Sequence, residues 1–167
     1  TDDITFNNDG TKLFAISDNG AMNIHILSTP YDISDATLVA DDGINWRTYK
    51  EPWGSSNTTM LPQTIRFNND GTKMYLTEAV INTTDPQESV GVVQYNLATP
   101  FVPSSTTTVQ VLNLRAQFPK TNIAIHAMNF DDDGTRMYVS AGNFNAETDH
   151  PHAVYELSMP FEISSAK

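Results

Sequence analysis

Hydrophobic and polar positions alternate in short runs along this chain, with no convincing helical spacing, and one run returns three times. Phe6-Asn7-Asn8-Asp9-Gly10-Thr11-Lys12-Leu13-Phe14 recurs as Phe67 through Tyr75 and again as Phe130 through Tyr138, at offsets of 61 and then 63 residues. A period of this size marks a repeat architecture. Each copy carries a second element further on: Leu27-Ser28-Thr29-Pro30-Tyr31-Asp32-Ile33-Ser34, Leu97 through Ser104, and Leu157 through Ser164.

The runs between these anchors predict strands. Lys73–Thr77 and Val90–Leu97 are short, rich in β-branched and aromatic residues, and bounded by turn formers. The Asp-Gly step after each first strand suits a hairpin, because glycine tolerates positive φ and Asp or Asn bonds its own backbone. Proline ends the third strand, lacking the N–H that a ladder needs. A fourth strand is expected at Thr37–Ala40 and at Thr107–Leu112, while the third copy stops at Ser164-Ser165-Ala166-Lys167. Leu13-Phe14-Ala15-Ile16 is apolar on both alternating faces, so the sheets are expected to be covered on both sides.

The Phe-x-x-Asp-Gly-Thr-Lys-hydrophobic-Tyr hairpin resembles blades of the β-propeller repeat family, WD40-like or lactonase-like. Its tandem with Tyr95-Asn96-Leu97-Ala98-Thr99-Pro100-Phe101 is similar to repeats of secreted bacterial and bacteriophage proteins. The Trp-Asp step of WD40 blades does not occur. The resemblance implies an all-β fold, a β-propeller of three four-stranded blades, at about 1–43, 62–114 and 125–167. A two-layer sandwich is the competing architecture. Three blades cannot close a ring, so further blades of a longer polypeptide, or a second identical chain, are the expected partners.

Composition narrows function by exclusion. Twenty acidic residues against nine Lys and Arg give a net charge of −11, which repels phosphate backbones and anionic headgroups. Nucleic-acid binding and membrane insertion are not expected, and no run approaches the length of an apolar span. Without cysteine there is no disulfide, thiolate nucleophile or Cys-based zinc site. No glycine-rich phosphate loop or Gly-x-Ser-x-Gly elbow occurs.

Candidate chemistry lies in the connections. The initial turns are uniform, whereas Asp42–Pro62, Glu78–Ser89, Asn113–Ile125 and Gly142–His152 are long and polar. Rigid frames present binding groups on such loops. Trp46, Tyr49 and Trp53 share one of them and are candidates for stacking on a sugar or anchoring a protein, unless they fold beneath the loop as a satellite core. Asp2, Gln63 and His126 fall four residues before each repeated Phe, at the expected mouth of the central channel, where His126 suits proton transfer or metal ligation. His150 and His152, with Glu147 and Asp149, offer a further imidazole and carboxylate cluster. His25 aligns with Tyr95 and Tyr155 at a packing position, and Asp131-Asp132-Asp133-Gly134 reads as turn chemistry rather than a calcium loop.

The function expected from these readings is a non-enzymatic structural or binding module of an extracellular or virion-surface assembly, recognising a glycan or protein through its elaborated loops. No cofactor is expected. The alternative is a lactonase-like, metal-dependent hydrolase, with Ca2+ or another divalent ion held at the channel mouth by acids and His126.

Overall fold

A computed structural model describes residues 2–17, 19–41, 44–46, 59–81, 90–118, 123–143 and 151–167. These residues form three antiparallel sheets in chain order. The first contains β1 (Asp3–Phe6), β2 (Lys12–Ile16), β3 (Met22–Ile26) and β4 (Thr37–Asp41). The second contains β5 (Thr59–Phe67), β6 (Lys73–Ile81), β7 (Val90–Leu97) and β8 (Thr106–Asn113). The third contains β9 (Ile123–Phe130), β10 (Arg136–Asn143) and β11 (His152–Glu156). Spatial order follows sequence order in every sheet.

The expectation of three four-stranded units is corrected at the third. Its sheet has three strands among the described residues, and a single bridge, Leu157 to Ala166, lies where the other units have a fourth. Glu156 and Lys167 exchange backbone bonds of 3.0 and 3.3 Å beside it, so pairing reaches only the end of β11. Strands elsewhere run beyond their apolar centres: β5 starts at Thr59, β6 reaches Ile81 and β10 reaches Asn143.

Each position of the repeated turn has a job. The side chain of Asn7 accepts from the Lys12 N–H at 2.8 Å, Asn68 from Lys73 at 2.9 Å, and Asp131 from Arg136 at 2.9 Å. Asp9, Asp70 and Asp133 accept from both the N–H and the hydroxyl of the threonine two residues on. The strands therefore close at Phe6 opposite Leu13, a wider connection than the tight hairpin expected from Asp-Gly. Gly10, Gly71 and Gly134 then take φ of +70°, +71° and +71°. Their carbonyls accept the N–H of Tyr31, Phe101 and Phe161, each at 2.9 Å, and those aromatic rings lie flat over the glycines. The aromatics themselves sit at φ of 55–63°, so every proline loop is folded back onto the turn of its own repeat.

Cores form between sheets. Phe14, Ile16 and Met22 of the first meet Ile65, Leu76, Val93 and Tyr95 of the second. Tyr75, Val90 and Val92 on the opposite side of the second meet Ile125, Met137, Val139 and Ile163. The middle sheet is thus covered on both faces, and β7 is buried without a break from Val90 to Tyr95. Tilted aromatic steps repeat across both seams: Phe14 to Phe67 and Tyr75 to Phe130 both have centroids 4.7 Å apart.

Polar bonds cross the seams at the repeat offset. Asp3 accepts from the Ile65 N–H and pairs with Arg66, Thr64 Oγ1 donates to the His126 carbonyl at 3.0 Å, and Asn69 Nδ2 to that of Asp132 at 2.7 Å. The second seam adds a denser set. Tyr75 donates its hydroxyl to the Phe161 carbonyl at 2.6 Å, Lys73 Nζ pairs with Glu162 at 3.0 Å, and Gln94 accepts from the Ile163 N–H at 3.1 Å.

Burial opposes the charge on Glu162, but bonds from Lys73, Gln94 and Ser164 outweigh it and hold the carboxyl below its ordinary range. A lowered folded-state pKa contributes stability that is present above the unfolded value and lost as pH falls through the folded one. The stability gap between the native chain and Glu162→Gln is therefore expected to be constant above about pH 5 and to narrow below about pH 4. Chemical denaturation across that range checks it, and a gap that widens on acidification contradicts it.

Candidate functional site

Antiparallel connection places the links that the sequence marks as long and polar at one edge of the sheets, while the proline loops lie at the other, with the glycine turns. The segments from Ile81 to Val90, from Asn143 to His152, and from each outer strand to the next inner strand leave the frame on the side opposite the glycine turns. Tyr49, Trp53, Glu147, Asp149 and His150, which the sequence assigns to this edge, lie outside the described residues.

Trp46 requires a correction. It is 0 % exposed, its ring meets Tyr95 edge-on at 5.2 Å, and its backbone N–H donates to the Gly20 carbonyl at 2.9 Å. The indole closes the end of the core between the first two sheets and presents no stacking plane. Its large apolar area is better hidden there than left in water.

His126 is exposed at a bulge. Ser140 pairs with Ala127 and Ala141 with Ile125, which leaves His126 as the extra residue, and β5 repeats the irregularity at Gln63. Bulges re-aim a side chain. His152 is exposed at the start of β11, opposite Ser140. Among the described residues no three histidines or acids gather as metal ligands. His25, paired with Leu13 and Leu38, is half-buried where Tyr95 is fully buried.

A feature that the sequence did not single out is the outward face of the third sheet. Two cross-strand rows, Ala127–Ser140–His152 and Asn129–Tyr138–Val154, floor a groove of about 470 Å3 with Arg66 at its rim. Tyr138 is 42 % and Val154 55 % exposed, whereas Phe14 and Tyr75, at the position of Tyr138 in the other repeats, are fully buried. Arg136 flanks the rows, its charge favoured by a hydrogen bond from its Nε to Glu156 at 3.0 Å. The opposite end of the array shows a matching open face, with Ile4 at 49 % and Ile33 at 64 % exposure. The rows mix Ala127, Tyr138 and Val154 with the polar Asn129, Ser140 and His152, and the equivalents of Tyr138 are covered by another sheet at both internal seams.

No family model, curated protein or solved structure matches the chain. No helix among the described residues is long and apolar enough to cross a membrane.

Proposed function

We propose that the chain forms three consecutive blades of a β-propeller and serves as a non-enzymatic structural or binding module in an extracellular or virion-surface assembly. The observation that carries this reading is the adjacency of the first strands: β1 lies beside β5 and β5 beside β9, with side-chain bonds at offsets of 62 and 63 residues. Sheets repeated at one offset, each covering the next, are what blades about an axis require. The excess of acids and the absence of cysteine fit an assembly that does not handle nucleic acid or depend on disulfides.

Binding is assigned to the edge that carries the long connections, with a glycan or a protein surface as ligand. Replacing 82–89 and 144–150 by Asn-Gly turns tests this on a glycan array. Thermal unfolding of the shortened protein should stay close to the native midpoint while array binding disappears. Binding that survives both replacements, or that the native chain lacks, contradicts the glycan form of the proposal.

A further inference from the structure

We infer that the open face of the third sheet docks the first sheet of a second copy of this chain, through a seam built like the one between the second and third sheets. The inference rests on the blade reading above and names the partner that it leaves open.

At the second seam, the proline loop of the third repeat sits on the second and third strands of the second repeat, and at the first seam Phe101 of the second repeat's loop packs against the shared core. In the second seam the loop residues are Phe161, Glu162 and Ile163, and the strand residues that they meet are Lys73, Tyr75 and Gln94. The corresponding loop residues at the first seam are Phe101, Val102 and Pro103, and the strand residues are Lys12, Phe14 and Ile24. One difference is matched, since Ile24 stands where Pro103 has no N–H to offer; Lys12 has Val102 rather than a carboxylate at the loop position, and Phe14 has no hydroxyl for the Phe101 carbonyl.

The two open faces continue this pattern. The third sheet offers Arg136, Tyr138 and Val154 at the strand positions, and the first repeat offers Tyr31, Asp32 and Ile33 at the loop positions. A cation thus meets a carboxylate, Arg136 with Asp32, as Lys73 meets Glu162. A phenol faces a loop carbonyl, Tyr138 with Tyr31, as Tyr75 faces Phe161. Asp32 is also prepared like Glu162: one oxygen accepts from Ser34, as one of Glu162 accepts from Ser164, and Oδ2 has no partner among the described residues. Tyr31 is 56 % exposed, while Phe101 and Phe161 are half-buried, and Ile33 is exposed while Pro103 and Ile163 are buried. Val154 and Glu156 depart from the pattern: Val154 gives Ile33 apolar surface but no acceptor for its N–H, and Glu156, already paired with Arg136, stands where the second repeat has Asn96.

Two copies joined in this way at both ends make six sheets, within the range over which propeller rings close. The interface is heterologous, and closing it at two copies requires the three described sheets to span half of a circle.

Sedimentation of the whole chain tests the inference, with Arg136→Asp, Asp32→Arg and the two combined. The native chain should be a dimer. Each single change places like charges together and should weaken association at least about tenfold, and the double change should restore it. Both residues are exposed, so circular dichroism should report an unchanged fold. A native chain that stays monomeric, its open face then belonging to another occupant such as a further repeat, overturns the inference. So does a dimer indifferent to both single changes. Neither outcome touches the blade reading, which distances between labels within one chain test separately.

Discussion

Gly71→Ala is expected to lower the stability of the protein by about 2–5 kcal/mol. Left-handed backbone costs an L-residue about 1–2 kcal/mol, and Gly71 sits at φ +71°. A methyl group there would also run into the ring of Phe101, whose own N–H is bonded to the Gly71 carbonyl and cannot withdraw. Crowding of that kind adds about 1–3 kcal/mol. For a chain of this size the thermal midpoint should fall by roughly 5–15 °C. A double-mutant cycle separates the two causes: in a Phe101→Ala background only the backbone part should remain. A midpoint within a degree of the native one would show that the ring does not cover the glycine.

Trp46→Ala comes next in size. Truncating a fully buried tryptophan costs about 3–5 kcal/mol, and the indole fills the end of the core beside Tyr95. A tryptophan displayed for stacking would change stability by no more than about 0.5 kcal/mol. Denaturant unfolding therefore separates the structural role from the binding role that the loop's composition invites. A loss below about 1 kcal/mol would contradict the burial described above.

What the sequence made legible is what each repeat accomplishes alone. Asn7, Asp9, Gly10 and Thr11 specify a turn through bonds within six residues, so it could be read without the fold, whereas β3 ends at Ile26, four residues before the Pro30 expected to stop it. The unbroken apolar run Leu13–Ile16 pointed to two-sided burial as well, because local composition alone makes both faces apolar. The burial of Trp46 could not be read in this way, because the surface that covers it belongs to strands on another sheet. Nor could the open faces: Phe14, Tyr75 and Tyr138 are equivalent along the chain, and only the presence or absence of a following sheet separates the two that are buried from the one that is exposed. The cation and phenol of the third repeat acquire meaning only when its seam is compared with the other two.

The radial arrangement of the sheets is the claim on which the rest depends, and distances between paired spin labels test it most directly. With no native cysteine, labels can be placed cleanly at Asp2 and Gln63 near the innermost strands, and at Thr37 and Thr108 on the outermost. Blades about an axis diverge outwards, and three strand spacings of about 4.8 Å separate inner from outer positions. The outer pair should then be roughly 10–15 Å further apart than the inner pair. Equal distances would mean flat stacked layers and would contradict the account.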